Sequence, residues 1–294
     1  MTILLYFLLN KNNIIVTKIN KSNLNFPNTT NDAPLKYFYE PRPHTKQSLI
    51  KKPECLDTEP EYLINDDSLN DRFDYSIRKP ENTYRIITLG DSLTFGLHVD
   101  TKDNYPELLE GLLNNKPHCP DIKKFEVINL GVPGYDIEYG VERMRVRGLK
   151  YSPDLVIWLI HQGSFSKIQD LISAKSLNMR ENIENKADIA LKELITELGE
   201  DKIAQHQTIA LKSISNYYTG KLLIYTLAKW LRDKPLSIVS DFIKNRPDSY
   251  FIEGTTDLQK QNGMFPDHHP NQIGHQMIAS EIFDYLSQNI IKCK

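Results

Sequence analysis

A three-layer α/β/α sandwich around a parallel sheet is the fold this sequence predicts, and three observations carry the prediction. Between residues 84 and 160, short β-rich runs alternate with segments of helical periodicity, the rhythm of consecutive βαβ units. The run Asp154-Leu155-Val156-Ile157-Trp158-Leu159-Ile160 is apolar at consecutive positions, as a strand covered on both faces requires. Near the end of the chain Ile278, Ile282 and Leu286 recur every fourth residue, a helix face able to dock on such a sheet.

Taken in order, residues 1–80 read as an N-terminal leader, partly ordered, ahead of one domain over 81–294. Ile3-Leu4-Leu5-Tyr6-Phe7-Leu8-Leu9 is apolar but far shorter than the roughly 20 residues a bilayer needs. It lacks the basic start and small-residue cleavage site of a signal peptide, so only weak membrane association is expected of it. The compartment stays open between cytoplasm, export and membrane anchorage. Phe38-Tyr39-Glu40-Pro41-Arg42-Pro43 reads as extended chain, because residues before proline avoid the helical region.

Tyr84–Leu89 is the first expected strand, followed by a helix over Tyr105–Leu113 with Pro106 in its first turn. Phe125–Leu130 is the second strand, Ile137–Lys150 a helix, and residues 154–160 the third strand. Right-handed crossovers then give a parallel, flavodoxin-like sheet. From about 166 to 233 the rhythm breaks into a helical insertion. Ile183, Ala187, Leu191, Ile195 and Leu198 mark one amphipathic helix, and Ile209–Leu231 a second that carries Tyr217, Tyr218, Tyr225 and Trp230. The pair reads as packing on the core, as a cap over a site, or as both. Leu236–Phe242 and Tyr250–Glu253 read as short strands, and a helix over Gly274–Leu286 closes the domain.

The 294 residues are 40% hydrophobic and 25% charged, ordinary globular usage. A net charge of -2 and the absence of a basic stripe with interleaved aromatics argue against nucleic acid as partner. Cys55, Cys119 and Cys293 are widely spaced and odd in number, which indicates reduced thiols rather than a disulfide framework. The oligomeric state has no signature in the sequence.

Two local patterns carry chemistry. Gly90-Asp91-Ser92-Leu93 follows directly on the first strand, and Asp267-His268-His269-Pro270-Asn271 precedes the last helix. A hydroxyl becomes a nucleophile when a base takes its proton, and a carboxylate commonly orients that base. Ser92 is outside any Gly-x-Ser-x-Gly elbow, and the turn also suits Asp91 or Ser92 as a plain helix N-cap. Ser92, Gly134 and Gly163 each fall just beyond a strand's carboxyl end. Three strand-to-helix turns therefore converge on one crevice, where parallel sheets bind ligands.

The stretches Arg85–Gly96, Val127–Tyr135 and Asp267–His275 together resemble the blocks of the SGNH, or GDSL-type, hydrolase family. The resemblance covers roughly Tyr84–Ile168 and Met264–Leu286. It implies Ser92 as nucleophile, His269 as base and Asp267 as its orienter, with the backbone N–H groups of Ser92 and Gly134 facing the oxyanion. The family's third block usually supplies an asparagine donor as well. Here the stretch is Ile160-His161-Gln162-Gly163-Ser164-Phe165, and Gly163 stands at the asparagine position. Loss of one such donor costs roughly 3 kcal/mol of transition-state stabilisation. Gln162, Ser164 and His161 are the neighbouring side chains able to substitute.

Asp267 and His269 are two apart, a shorter spacing than the family's usual three, and His268 competes as base but reads as an exposed loop residue. Asp267, His268, His269 and His275 could gather round a zinc ion, yet no paired His on one helix and no cysteine partner accompany them. No metal or cofactor is therefore expected. The implied activity is a serine ester hydrolase acting through an acyl-serine on a carboxylic ester, such as an O-acetyl or short acyl ester of a small molecule, carbohydrate or lipid. An O-acyltransferase using the same serine is one alternative. A noncatalytic binding protein on the same fold, suggested by Gly163, is the other.

Overall fold

The computed structural model describes residues 14–16, 35–44, 59–115, 121–180 and 185–291. Two short strands, β1 (Ile14–Val16) and β2 (Tyr39–Pro41), pair antiparallel. Five more strands build the main sheet: β3 (Thr83–Leu89), β4 (Lys124–Asn129), β5 (Leu155–Leu159), β6 (Lys221–Thr226) and β7 (Ser249–Glu253). They are all parallel, in the order β4-β3-β5-β6-β7. That order is the flavodoxin-like one, with the first strand inserted between the second and third.

Alternation along the strands divides two apolar layers. Ile87, Val156, Trp158, Leu222 and Ile224 face helices α3 (Ile137–Arg143), α6 (Glu200–Ser213) and α7 (Asp233–Lys244). Ile86, Leu155, Ile157, Leu223 and Tyr225 face α2 (Tyr105–Asn114) and α8 (Gln272–Tyr285). Helices on both faces of a parallel sheet make the expected three layers. A four-residue helix, α1 (Ser92–Phe95), leaves the end of β3.

The insertion is smaller than its periodicity implied. It comprises α4 (Gln169–Asn178), α5 (Lys186–Leu198) and α6, with Ile168, Ile172, Ala187, Ala190, Leu194 and Ile203 forming a small core of their own. The helix expected over Ile209–Leu231 ends at Ser213, and β6 occupies its second half. Leu222-Leu223-Ile224-Tyr225 is buried on both faces, and a continuous apolar run has no period that separates strand from helix. The strand expected over Leu236–Phe242 is part of α7. Its buried Pro235, Val239 and Phe242 follow helical spacing, which outweighs the local β-branched Ile238-Val239 pair. Both errors come from one missed element boundary.

Within the segment before residue 80, the described residues pack against the domain. Phe38, Tyr39, Tyr62, Ile64 and Leu69 are buried, and Phe38, Tyr39 and Tyr62 join Phe95, Val132, Tyr135 and Tyr139 in one aromatic cluster. Glu40, itself buried, accepts an ion pair from Arg143 of α3 and a two-pronged one from Arg147 at 2.8 Å on each oxygen. This strap is therefore pinned across α3. The apolar run at residues 3–9, Ile183, and Cys55, Cys119 and Cys293 lie outside the described residues. Among the described residues no helix is long and apolar enough to cross a membrane.

Candidate active site

Asp91 opens the site by capping α1: its Oδ1 accepts from the Leu93 N–H at 3.1 Å. The cap reading and the nucleophile reading are thus compatible, since the turn that caps α1 presents Ser92 at the sheet's carboxyl edge. Ser92 Oγ lies 2.9 Å from His269 Nε2. His269 Nδ1 lies 3.0 Å from Asp267 Oδ2, and the His269 N–H donates to Asp267 Oδ1 at 3.2 Å. A carboxylate only accepts, so His269 carries its proton on Nδ1, and Nε2 is left as the acceptor for the Ser92 hydroxyl. Residues 177 positions apart are joined because α8 docks beside α2 and holds the loop before it.

Asp267 has a second histidine that the sequence did not announce. His98, in the loop after α1, is buried and donates from Nε2 to the same Asp267 Oδ2 at 2.8 Å. Its backbone is left-handed, with φ 76, and the Tyr62 hydroxyl accepts the His98 N–H at 2.8 Å. Burial alone would push the Asp267 carboxyl up, but hydrogen bonds from His269 and His98 overcome it and hold the group well below the usual carboxylate range. Nothing near Ser92 in sequence signals a pairing over 169 positions.

Gly134 is the glycine of the Pro133-Gly134 turn and sits at φ 85, a conformation that favours glycine. Its N–H and that of Ser92 donate to no protein acceptor among the described residues, which leaves both for a ligand. The Pro133 carbonyl, the other half of the Gly134 peptide, accepts from the Tyr39 hydroxyl at 2.8 Å. The strap thereby orients the peptide whose N–H faces the crevice.

At the third turn the structure answers which side chain stands beside Gly163. A Cβ on Gly163 would fall 2.7 Å from His161 Cε1, so the His161 ring fills the space a side chain would take. That ring is fully engaged. Nδ1 accepts from the Gly163 N–H at 3.1 Å, and Nε2 donates to Asp91 Oδ2 at 2.7 Å. Burial pushes the Asp91 carboxyl up, but His161 donating to it, with Lys167 and the Leu93 N–H, brings it down to about 2. Ser164 Oγ accepts from the His161 N–H, and Gln162 Oε1 accepts from the Arg232 N–H in a neighbouring hollow. Of the three side chains expected to substitute, only His161 lines the crevice, and both of its ring nitrogens are already bonded.

The crevice holds about 270 Å³ and is bordered by Ser92, Gly134 and His269, with Leu93, Ile172, Ala187 and Leu191 as its apolar wall. The insertion contributes α4 and α5 to that wall, so it lines the site as well as packing on the core. Lys167 enters the same crevice, where its Nζ donates to the Gly134 carbonyl at 2.9 Å. His268 is exposed at the rim, and His269 faces Ser92 instead.

The zinc cluster weighed in the sequence does not assemble. His275 is buried in α8, with Nδ1 accepting from the Tyr105 N–H at 3.1 Å, away from the crevice. Among the described residues one group, His98, Asp267 and His269, brings potential ligand atoms within 4.8 Å of one another, and those atoms are hydrogen-bonded into the relay to Ser92.

No family model matches the chain, and no curated protein matches it. Among solved structures the chain is similar to a two-domain esterase active on acetylated mannans, at 18% identity and a TM-score of 0.42. That match covers 70% of this chain and 49% of the other, so the chain spans about half of that protein's length. It is also similar to the psychrotrophic esterase EstA from Pseudoalteromonas sp., at 15% identity and TM-score 0.44, covering 69% of this chain and 97% of that one. A third similar structure is Axe2, an acetylxylan esterase from Geobacillus stearothermophilus, at 14% identity and TM-score 0.45, covering 72% and 97%.

Proposed function

We propose that the protein is a serine ester hydrolase that cleaves short-chain acyl esters through an acyl-serine. The observation that carries this reading is the Ser92 Oγ–His269 Nε2 hydrogen bond at 2.9 Å, continued to Asp267 through Nδ1. Ser92 Oγ attacks the ester carbonyl while its proton passes to His269 Nε2. The Oγ–C bond forms, the carbonyl oxygen becomes an oxyanion, and the N–H groups of Ser92 and Gly134 receive it. His269 then protonates the leaving alcohol as the ester C–O bond breaks. Water attacks the acyl-serine by the same route in reverse, and Asp267 holds the imidazolium through both halves.

A crevice of about 270 Å³ lies at the small end of ligand pockets, which favours a short acyl group over a long chain. Hydrolysis of p-nitrophenyl acetate against p-nitrophenyl decanoate tests both parts of the reading. The acetate should be cleaved faster, and Ser92→Ala and His269→Ala should each lower turnover by about 10⁴-fold or more. Wild-type rates for both variants, or preference for decanoate, would contradict it.

A further inference from the structure

We infer that Lys167 is a catalytic residue of this site: its ammonium stabilises the oxyanion that forms when Ser92 attacks the ester. The inference rests on the hydrolase reading above. Lys167 Nζ donates to the Gly134 carbonyl at 2.9 Å, and it makes no ion pair with a carboxylate among the described residues. An ammonium has three donors, so the Gly134 bond leaves two available. The group lines the crevice that Ser92 and Gly134 border.

A partly buried ammonium with no carboxylate in salt-bridge contact is poorly compensated in the resting protein and favourable wherever negative charge develops beside it. The oxyanion is such a charge, and it exists only after Oγ has attacked. Of the side chains beside Gly163, His161 is the one that lines the crevice, and both of its ring nitrogens are already bonded; Ser164 and Gln162 are not part of the lining.

The backbone keeps Lys167 in place. Gln207, buried on α6, donates from Nε2 to the Lys167 carbonyl at 2.7 Å and to Asp136 Oδ2 at 3.0 Å. The Gln169 N–H donates to the same Asp136 oxygen at 2.6 Å. The backbone at Lys167 and Gln169 is therefore held by Gln207 of α6 on one side and by Asp136, the N-cap of α3, on the other.

The groups that act on its charge are few. Burial lowers the Lys167 pKa, and Asp91 and Asp136 act against that. Asp188 of α5, His161, Asp267 and His269 line the same crevice.

The test compares wild type, Lys167→Met and Lys167→Arg with p-nitrophenyl acetate, with circular dichroism and thermal unfolding as controls of folding. Lys167→Met should lose about 100-fold or more in kcat with KM changed less than about threefold, as loss of one oxyanion donor does. Lys167→Arg should recover at least about tenfold of that loss. In wild type kcat should fall at alkaline pH as the lysine deprotonates, and in Lys167→Arg this fall should disappear, because guanidinium stays charged. A purely structural role leaves the alkaline limb in place. If Lys167→Met does not fold, the Lys167→Arg profile alone decides.

The inference is overturned if folded Lys167→Met keeps kcat within threefold, if the loss appears in KM only, or if the alkaline limb persists in Lys167→Arg. The hydrolase reading survives each of those results so long as wild type turns over and Ser92→Ala does not. Absence of turnover in folded wild type overturns both.

Discussion

Asp267 holds two imidazoles on one carboxylate oxygen, and this sharing sets how strongly it can stabilise His269 as a cation. Without His98 the carboxylate would lose one of the two imidazole donors that hold it in place beside His269. His98→Leu should therefore lower kcat/KM for p-nitrophenyl acetate by about tenfold, and an unchanged value would show that His98 only packs. Tyr39 acts on the Gly134 peptide. Tyr39→Phe removes the donor to the Pro133 carbonyl and should lower kcat by about fivefold to tenfold with KM unchanged, a loss of roughly 1 kcal/mol. Gly163→Asn should slow the enzyme instead of completing the oxyanion site. Its Cβ would meet His161 Cε1 at 2.7 Å, and His161 is held by Asp91. Steady-state kinetics and thermal unfolding check it, with a stability loss of about 1–3 kcal/mol expected from overpacking. A gain in kcat would contradict the placement of His161.

At the scale of elements, the insertion lines the crevice and the strap packs behind the Gly134 turn. Arg143 is fully buried, and Arg147 shares its partner Glu40, so Glu40→Ala leaves buried guanidinium charge unpaired. Denaturant unfolding of Glu40→Ala should show a loss of about 3–5 kcal/mol, the usual cost of removing one member of a buried pair. A loss under about 1 kcal/mol would mean the strap is not pinned there. Local patterns predicted the βαβ rhythm of residues 84–160 because each element there is bounded by its own turn chemistry. Asn104 caps α2 with Pro106 in its first turn, and Asp136 caps α3. They failed at β6, where residues 222–225 are buried on both faces, and at Phe38 and Tyr39, whose burial depends on Tyr135 and Tyr139 almost a hundred residues away. Ser92, His269 and Asp267 were legible because each sits in a tight local pattern. His98 was not, because it meets Asp267 only through the fold, across 169 positions.

For the whole molecule, acid should unfold the protein earlier than its near-neutral net charge suggests. His275 is buried and neutral, and burial pulls its pKa down to about 3. Unfolded chains take up that proton below about 6.5, so stability falls as pH drops from there towards about 3. Asp91, brought down to about 2, adds stability above the ordinary carboxylate value near 3.8 that is lost as pH falls through about 2. Thermal unfolding should therefore weaken steadily from about pH 6.5 to pH 3, and His275→Gln should flatten the upper part of that decline. An identical slope in the variant would contradict the assignment. The fold's larger consequence is the crevice itself, built where the carboxyl ends of β3, β4 and β5 meet the strap and the insertion. Its central claim is that Ser92 is an activated nucleophile. Intact-mass measurement after treatment with a fluorophosphonate tests this most directly. Wild type should gain one adduct mapped to Ser92, Ser92→Ala none, and His269→Ala far less in the same time. Folded wild type that stays unlabelled, or an adduct that persists in Ser92→Ala, would contradict it.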